Sequence, residues 1–266
     1  MEFKNYETIN NEIKKQINST CEIWKKYLGE DLVGVYLHGS MCLNYFKEDT
    51  SDIDLLIITN RRIERNERLD IAREIIEVDV KPCPLEMSAL YIQDIKPWHY
   101  PPKCQFHYSD FWTERYQKMI SGEIKENFII DCDFEDTDIA SYIPVIKKWG
   151  VCLYGRPIDE VFPEVSEEDF WKSISNDIDE YDFNDYNEKY FVSNIIILGR
   201  ILSYKIEKKI LSKYEGGVWT MNYVPQKYRY IIENALNVWY ANEKQLEYKQ
   251  EDLQELRAYL IAKIKE

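Results

Sequence analysis

Two aspartates one residue apart open an apolar run, Asp52-Ile53-Asp54-Leu55-Leu56-Ile57-Ile58. In a β-strand alternate side chains share a face, so Asp52 and Asp54 point one way and Ile53 the other. Carboxylates that close repel each other unless a cation lies between them. A hard divalent ion such as Mg²⁺ suits them, because it takes one or two carboxylates and fills its shell with water and phosphate oxygens. Gly39-Ser40 stands eleven loop residues upstream, after a second apolar run. A glycine there lets the backbone approach a phosphate, and the Ser40 hydroxyl with neighbouring amides can hold its oxygens. Taken alone, Asp-x-Asp is a turn or solvated strand edge more often than a metal site, and Gly-Ser is weaker still. Strand, Gly-Ser, polar loop and Asp-x-Asp on the next strand form a far more specific pattern.

Glu86 is the third carboxylate. It sits inside Leu85-Glu86-Met87-Ser88-Ala89-Leu90, where an unpaired buried charge is costly. Either it faces solvent or it joins Asp52 and Asp54. In the second case it can help to bind the metal and remove a proton from an attacking hydroxyl. The chemistry is then in-line attack on an α-phosphorus, with Mg²⁺ neutralising charge and pyrophosphate leaving.

The elements that must position these groups are legible in outline. Ile9, Ile13, Ile17, Trp24 and Leu28 recur at spacings that mark an amphipathic helix ending near Gly29. Strands are expected over 31–37, 52–58 and 85–91, with a polar loop over 38–51 and a helix over 64–76. A helix over 138–149 and a strand over 151–154 follow, and the prolines between 95 and 102 exclude a regular helix there. Beyond Pro163 four helical patterns cover about 166–180, 187–213, 225–242 and 249–265, with Gly216-Gly217 and Pro225 as breakers. The expectation is an α+β chain, with strands and helices over 1–157 and helices alone over 158–266.

Composition narrows the partners. Among 266 residues, 34 Lys and Arg face 48 Asp and Glu, a formal charge of -14. Such a surface repels nucleic acid and anionic lipid and attracts a polycationic small molecule. With 45% hydrophobic and 14% aromatic residues, a substantial core can form. The six cysteines are scattered without a C-x-x-C, so reduced thiols are expected and a zinc site is not. No apolar stretch approaches a signal peptide or a membrane span, so the expected location is the cytoplasm, and a monomer is the default expectation.

Leu37-His38-Gly39-Ser40 followed by Ser51-Asp52-Ile53-Asp54-Leu55-Leu56 resembles the DNA polymerase β-like nucleotidyltransferase superfamily. More narrowly, the chain resembles the aminoglycoside adenylyltransferases of the 3''/9 class, which modify spectinomycin and streptomycin. Further blocks match in order: Pro97 to Lys103, Asp136 to Asp138, Leu153-Tyr154-Gly155, Val161 to Val165, Gly199-Arg200-Ile201, Lys213, Val218-Trp219-Thr220 and Tyr240. The resemblance implies a nucleotidyltransferase domain built on a mixed sheet and a helical domain covering substrate and nucleotide. It implies Mg²⁺ on Asp52, Asp54 and Glu86, with Glu86 as the base. It places Gly39, Ser40, Ser51, Arg200 and Lys213 on ATP phosphates and Tyr240 near the adenine. Arg200 in an apolar helix needs an anionic partner, although a snorkelling or salt-bridged arginine fits as well. For Lys213 an exposed helix end is the alternative.

Trp112 falls where the family places a tryptophan beside the antibiotic, with a core tryptophan as the alternative. Acidic residues before the arginine helix, Asp185 and Glu188 among them, are candidates for holding a cationic drug, with a solvated face as the alternative. Family drug-contacting positions hold Tyr190 and Ser193 here, and the tryptophan associated with streptomycin falls at Tyr181. That substitution favours spectinomycin as acceptor. A lincosamide, another metabolite, a protein side chain, or a non-catalytic nucleotide-binding module are the alternatives.

Overall fold

The computed structural model describes residues 4–48, 50–79, 82–125, 128–181, 188–241 and 248–266. Its backbone divides into two compact units, one ending at Ser173 and one over Ile174–Glu266. The division therefore falls later than the composition change near residue 157, because the helix Glu167–Ser175 is tied back to the first unit. Trp98 Nε1 donates to Asp169 Oδ2 at 3.0 Å, and Ser173 Oγ donates to the Asp138 carbonyl at 3.5 Å.

The first unit is a five-stranded mixed sheet with helices on both faces. Strands β1 (Leu32–Leu37), β2 (Ile53–Thr59), β3 (Leu85–Tyr91), β4 (Phe106–Tyr108) and β5 (Val151–Gly155) lie in the order β4-β3-β2-β1-β5. Only β2 and β3 pair in parallel; the other neighbours are antiparallel. On one face pack α1 (Asn11–Leu28), α3 (Arg65–Asp79) and α4 (Thr113–Ile120). That core takes Ile53, Leu55 and Ile57 from β2 and Leu85, Met87 and Ala89 from β3. On the other face α5 (Ile139–Trp149) buries Ile139, Ile143 and Ile146 against Leu56, Ile58 and Leu90.

Local chemistry sets the element ends. Asn10 caps α1 by accepting from the Ile13 amide, and Gly29 ends it at a φ of 50°. The start of β3 is held by buried polar side chains. Gln16 donates to the carbonyls of Val78 and Cys83, and Asp79 accepts the Leu85 amide at 2.6 Å and the Tyr108 hydroxyl at 2.7 Å. Residues 38–51, expected as loop throughout, begin with a helical turn, α2 (Gly39–Cys42). Strand β4 and helix α4 have no counterpart in the sequence pattern. Both are short, and their apolar residues show no extended period.

The second unit is helical. α6 (Glu167–Ser175) belongs to the first unit apart from its end, and α7 (Glu188–Glu207), α8 (Lys213–Tyr223), α9 (Arg229–Ala241) and α10 (Gln250–Lys265) build the second. Gly216 and Gly217 are not breakers; they lie inside α8. Ser212 and Glu215 form a capping box that starts this helix. The glycines then serve packing: a Cβ on Gly216 would come within 2.8 Å of the Arg200 Cβ, and one on Gly217 within 2.6 Å of Leu236. α7 accordingly stops at Glu207, short of residue 213.

Gly199 is the tightest point of that contact. A Cβ there would stand 2.1 Å from Thr220 Oγ1, whose hydroxyl donates to the Gly216 carbonyl at 2.7 Å. Gly199→Ala should cost about 1–3 kcal/mol by overpacking, more than the roughly 1 kcal/mol of helix propensity it gains. Circular-dichroism melting should show a lower Tm; an unchanged or higher Tm would contradict this close packing.

Candidate active site

The parallel pairing of β2 with β3 sets Asp54 directly opposite Glu86. Each is half-buried between fully buried neighbours. Because strand residues alternate, both share the face of Leu56, Ile58 and Leu90, under α5. Asp52 precedes the strand and is half-buried, two residues from Asp54 and so on the same side. The three carboxylates read from the sequence thus lie on one edge of one face.

Gly39 is required for a reason the sequence did not reveal. Its φ is 65°, and a Cβ on it would lie 1.8 Å from Asp54 Oδ2. The turn after β1 therefore presses its backbone against the Asp54 carboxylate, and only glycine permits that approach. The neighbouring Ser40 Oγ is buried without a hydrogen-bond partner. Leaving a buried hydroxyl unsatisfied costs roughly 1–3 kcal/mol. Ser51 has a different position: its Oγ accepts the Lys47 amide at 3.0 Å and closes the turn that leads into Asp52. Among the described residues no three or more His, Cys, Asp or Glu side chains form a cage able to hold a metal alone. An oxygen donor set of paired carboxylates still fits Mg²⁺, whose shell is completed by water and phosphate.

Buried rings pack beside this edge of the sheet. His38 lies under the turn, and burial lowers its pKa to about 3, so it is neutral. Its ring rests on Tyr142 of α5 with centroids 4.8 Å apart. Burial, then the charges of Glu86, Asp138, Asp136 and Asp54, keep the Tyr142 phenol protonated well above its ordinary range. Asp136 accepts the Asp138 amide at 3.0 Å, and burial with the nearby Asp138 charge raises its pKa to about 6.

In the second unit α8 brings together residues predicted for the nucleotide. Arg200 lies on α7 against Gly216, and Lys213 begins α8 with Nζ 5.1 Å from the centre of the Trp239 ring. Tyr240 is buried, edge-on to Tyr214 at 5.2 Å. Trp112 lies in the first unit, half-buried against the α1-side core and edge-on to exposed Phe111. Asp185 falls outside the described residues; Glu188 begins α7, and its side chain falls outside them as well.

Two family models cover successive parts of the chain. Residues 13–127 match the nucleotidyltransferase domain, and residues 160–263 match the aminoglycoside adenylyltransferase C-terminal domain. The chain belongs to the aminoglycoside adenylyltransferase family. A spectinomycin 9-adenylyltransferase of Campylobacter jejuni is 25% identical over 87% of each chain. An aminoglycoside (3'') (9) adenylyltransferase of Shigella flexneri is 24% identical over 95% of each. The crystal structure of a spectinomycin adenyltransferase from Enterococcus faecalis, with ATP and spectinomycin, superposes with a TM-score of 0.80. It covers 95% of this chain and 99% of its own at 21% identity, and so shares the fold.

The adenylyltransferase reading of the sequence did not single out His38 or Tyr142. A lone histidine before Gly-Ser carries no spacing signal, and Tyr142 lies more than a hundred residues from it. Asp136 was visible only within a family block.

Two outcomes are expected. Gly39→Ala should leave the enzyme folded but reduce kcat/KM by at least about a hundredfold, because Asp54 or the turn must move; near-normal turnover would refute the close approach. Asp136 holds its proton more tightly folded than unfolded, so its contribution to stability is full below about pH 3.8 and is lost as pH rises through about 6. Asp136→Asn keeps the acceptor oxygen and should therefore raise Tm at pH 8 more than at pH 4 in nucleotide-free enzyme. An equal change at both values would show that Asp136 is not a buried, raised acid.

Proposed function

We propose that the enzyme transfers AMP from ATP to a hydroxyl of a cationic aminocyclitol antibiotic, spectinomycin before streptomycin, and so confers resistance. The observation that carries this reading is the Asp54–Glu86 pair, opposed across parallel strands beside a glycine turn that touches Asp54. The names of the relatives from Campylobacter jejuni and Shigella flexneri support the acceptor class, and Tyr181 at the streptomycin-associated position favours spectinomycin.

In this reading Asp52, Asp54 and Glu86 would hold Mg²⁺, which supplies charge neutralisation at the α-phosphate and the departing pyrophosphate. Glu86 takes the proton of the acceptor hydroxyl. The hydroxyl oxygen bonds to the α-phosphorus, the bond from that phosphorus to the bridging oxygen breaks, and pyrophosphate leaves. Gly39, the orphaned Ser40 hydroxyl and Ser51 serve the phosphates, as do Arg200 and Lys213, whose charges suit ATP. Tyr240 lies near the adenine, and Trp112, Asp185 and Glu188 serve the acceptor. The net charge of -14 favours a cationic acceptor over nucleic acid. Among the described residues no helix is long and apolar enough to cross a membrane. A cytoplasmic monomer drawing on cellular ATP fits these properties.

The deciding experiment is pyrophosphate release with Mg-ATP and spectinomycin, streptomycin, kanamycin or lincomycin. Turnover is expected with spectinomycin, with a mass gain of one AMP on the antibiotic. Glu86→Gln should lower kcat by about 10²–10⁴-fold while ATP still binds. Silence across the aminocyclitols with turnover on lincomycin would move the acceptor to another class. Full activity of Glu86→Gln would remove Glu86 as the base.

A further inference from the structure

In the second unit the first turn of α8 meets the last turn of α9, residue against residue. Lys213 sets its ammonium 5.1 Å from the centre of the Trp239 ring, and the next pair, Tyr214 and Tyr240, stands edge-on at 5.2 Å. Trp239 is half-buried and Tyr240 buried. One turn further along α8, Gly216 packs on the Arg200 Cβ. Residues three and four apart share a helix face, so Lys213 and Gly216 lie on the same side of α8.

A lysine at this place works against the helix. The amides of a helix N-terminus carry a partial positive charge, which an ammonium in the first turn opposes. Glu215, the acid of that turn, is turned back on the cap, where its Oε2 accepts the Ser212 amide and hydroxyl, each at 2.9 Å. The ring of Trp239 is an attractive partner of another kind. The negative face of an indole draws an ammonium within about 6 Å of its centre, yet the ring has no net charge. It therefore holds the lysine without cancelling the field that an anion would meet. A lysine stem is flexible, and fixing it on binding costs entropy that a stem already held has lost beforehand. The ammonium has three N–H donors, so contact with one ring face does not exhaust them.

We propose that Trp239 is a positioning residue for Lys213: its ring face holds the ammonium at the start of α8, where the charge is presented to the phosphates of ATP. The inference rests on the reading of Lys213 as a phosphate ligand. It gives Trp239 and Tyr240, neighbours on α9, separate parts, the first acting on the nucleotide through Lys213 and the second lying near the base.

The test is a double-mutant cycle of Trp239→Leu and Lys213→Met in the full chain, with Mg-ATP binding followed by calorimetry and the melting temperature of each protein. Trp239→Leu should weaken Mg-ATP about 3- to 10-fold. Lys213→Met should weaken it about 10-fold or more. In the Lys213→Met background the loss of the ring should have little further effect, because the ring acts through that ammonium. Equal losses in both backgrounds would mean that the ring serves the base or the fold, and would overturn the proposal. Unchanged or tighter binding in Trp239→Leu would overturn it too, the latter by showing that ring and phosphate compete for the lysine. If Lys213→Met binds Mg-ATP like the unaltered chain, the phosphate reading of Lys213 fails instead, which separates the two failures. Should Trp239→Leu not fold, tetrafluorotryptophan at 239 keeps the shape of the ring and weakens its negative face. It should lower the affinity for Mg-ATP about 3-fold at an unchanged melting temperature, and an unchanged affinity would overturn the proposal.

Discussion

The parallel pairing of β2 and β3 is the constraint on which the site depends. Side by side, Asp54 and Glu86 carry like charges that repel, and nothing local in either strand holds them together. The sheet does so instead. Their neighbours Ile53, Leu55, Leu85 and Met87 are buried on the opposite face, so a one-residue slip of either strand would bury a carboxylate and expose a core residue. Gln16 and Asp79, both buried and hydrogen-bonded to the segment that enters β3, pin the register from outside the strand. Stability is spent on bringing two charges together, which is the arrangement expected where a cation and a phosphate are to be handled.

Two histidines near that pair are held neutral by burial. His38 is buried and neutral, and His107 is likewise held to a pKa of about 4 by burial, beside the Ser88 hydroxyl at 3.0 Å. Asp136 holds a proton up to about pH 6. The arginines that are well paired lie elsewhere: Arg61 binds Glu67 through two nitrogens, and Arg62 and Arg68 both bind Asp133.

In the second unit, small residues do what register does in the first. Gly199, Gly216 and Gly217 let α7, α8 and α9 approach closely, and Gly216 seats the stem of Arg200. A guanidinium so placed has its stem fixed by packing, so less entropy is lost when its head binds an anion. The same helix starts at Lys213, whose ammonium stands over Trp239.

Sequence alone determined which carboxylates and which glycine turn to look for, and most of the elements. Asp52, Asp54, Gly39, Ser40 and Glu86 were readable because alternation along a strand and the needs of a phosphate are local properties. The strands β1, β2 and β3 and the helices α1, α3, α5, α9 and α10 followed from hydrophobic period, which is also local. Tertiary structure decided what depends on residues far apart in the chain. That Glu86 faces Asp54 comes from the pairing of two strands, and that Gly39 must be glycine comes from the carboxylate that presses on it. Gly216-Gly217 read as a break because glycine is a poor helix former, yet close packing on α7 and the Ser212–Glu215 cap outweigh that preference. The place of Tyr142 on His38 was not legible at all, since two rings a hundred residues apart meet only once α5 has been laid across the sheet.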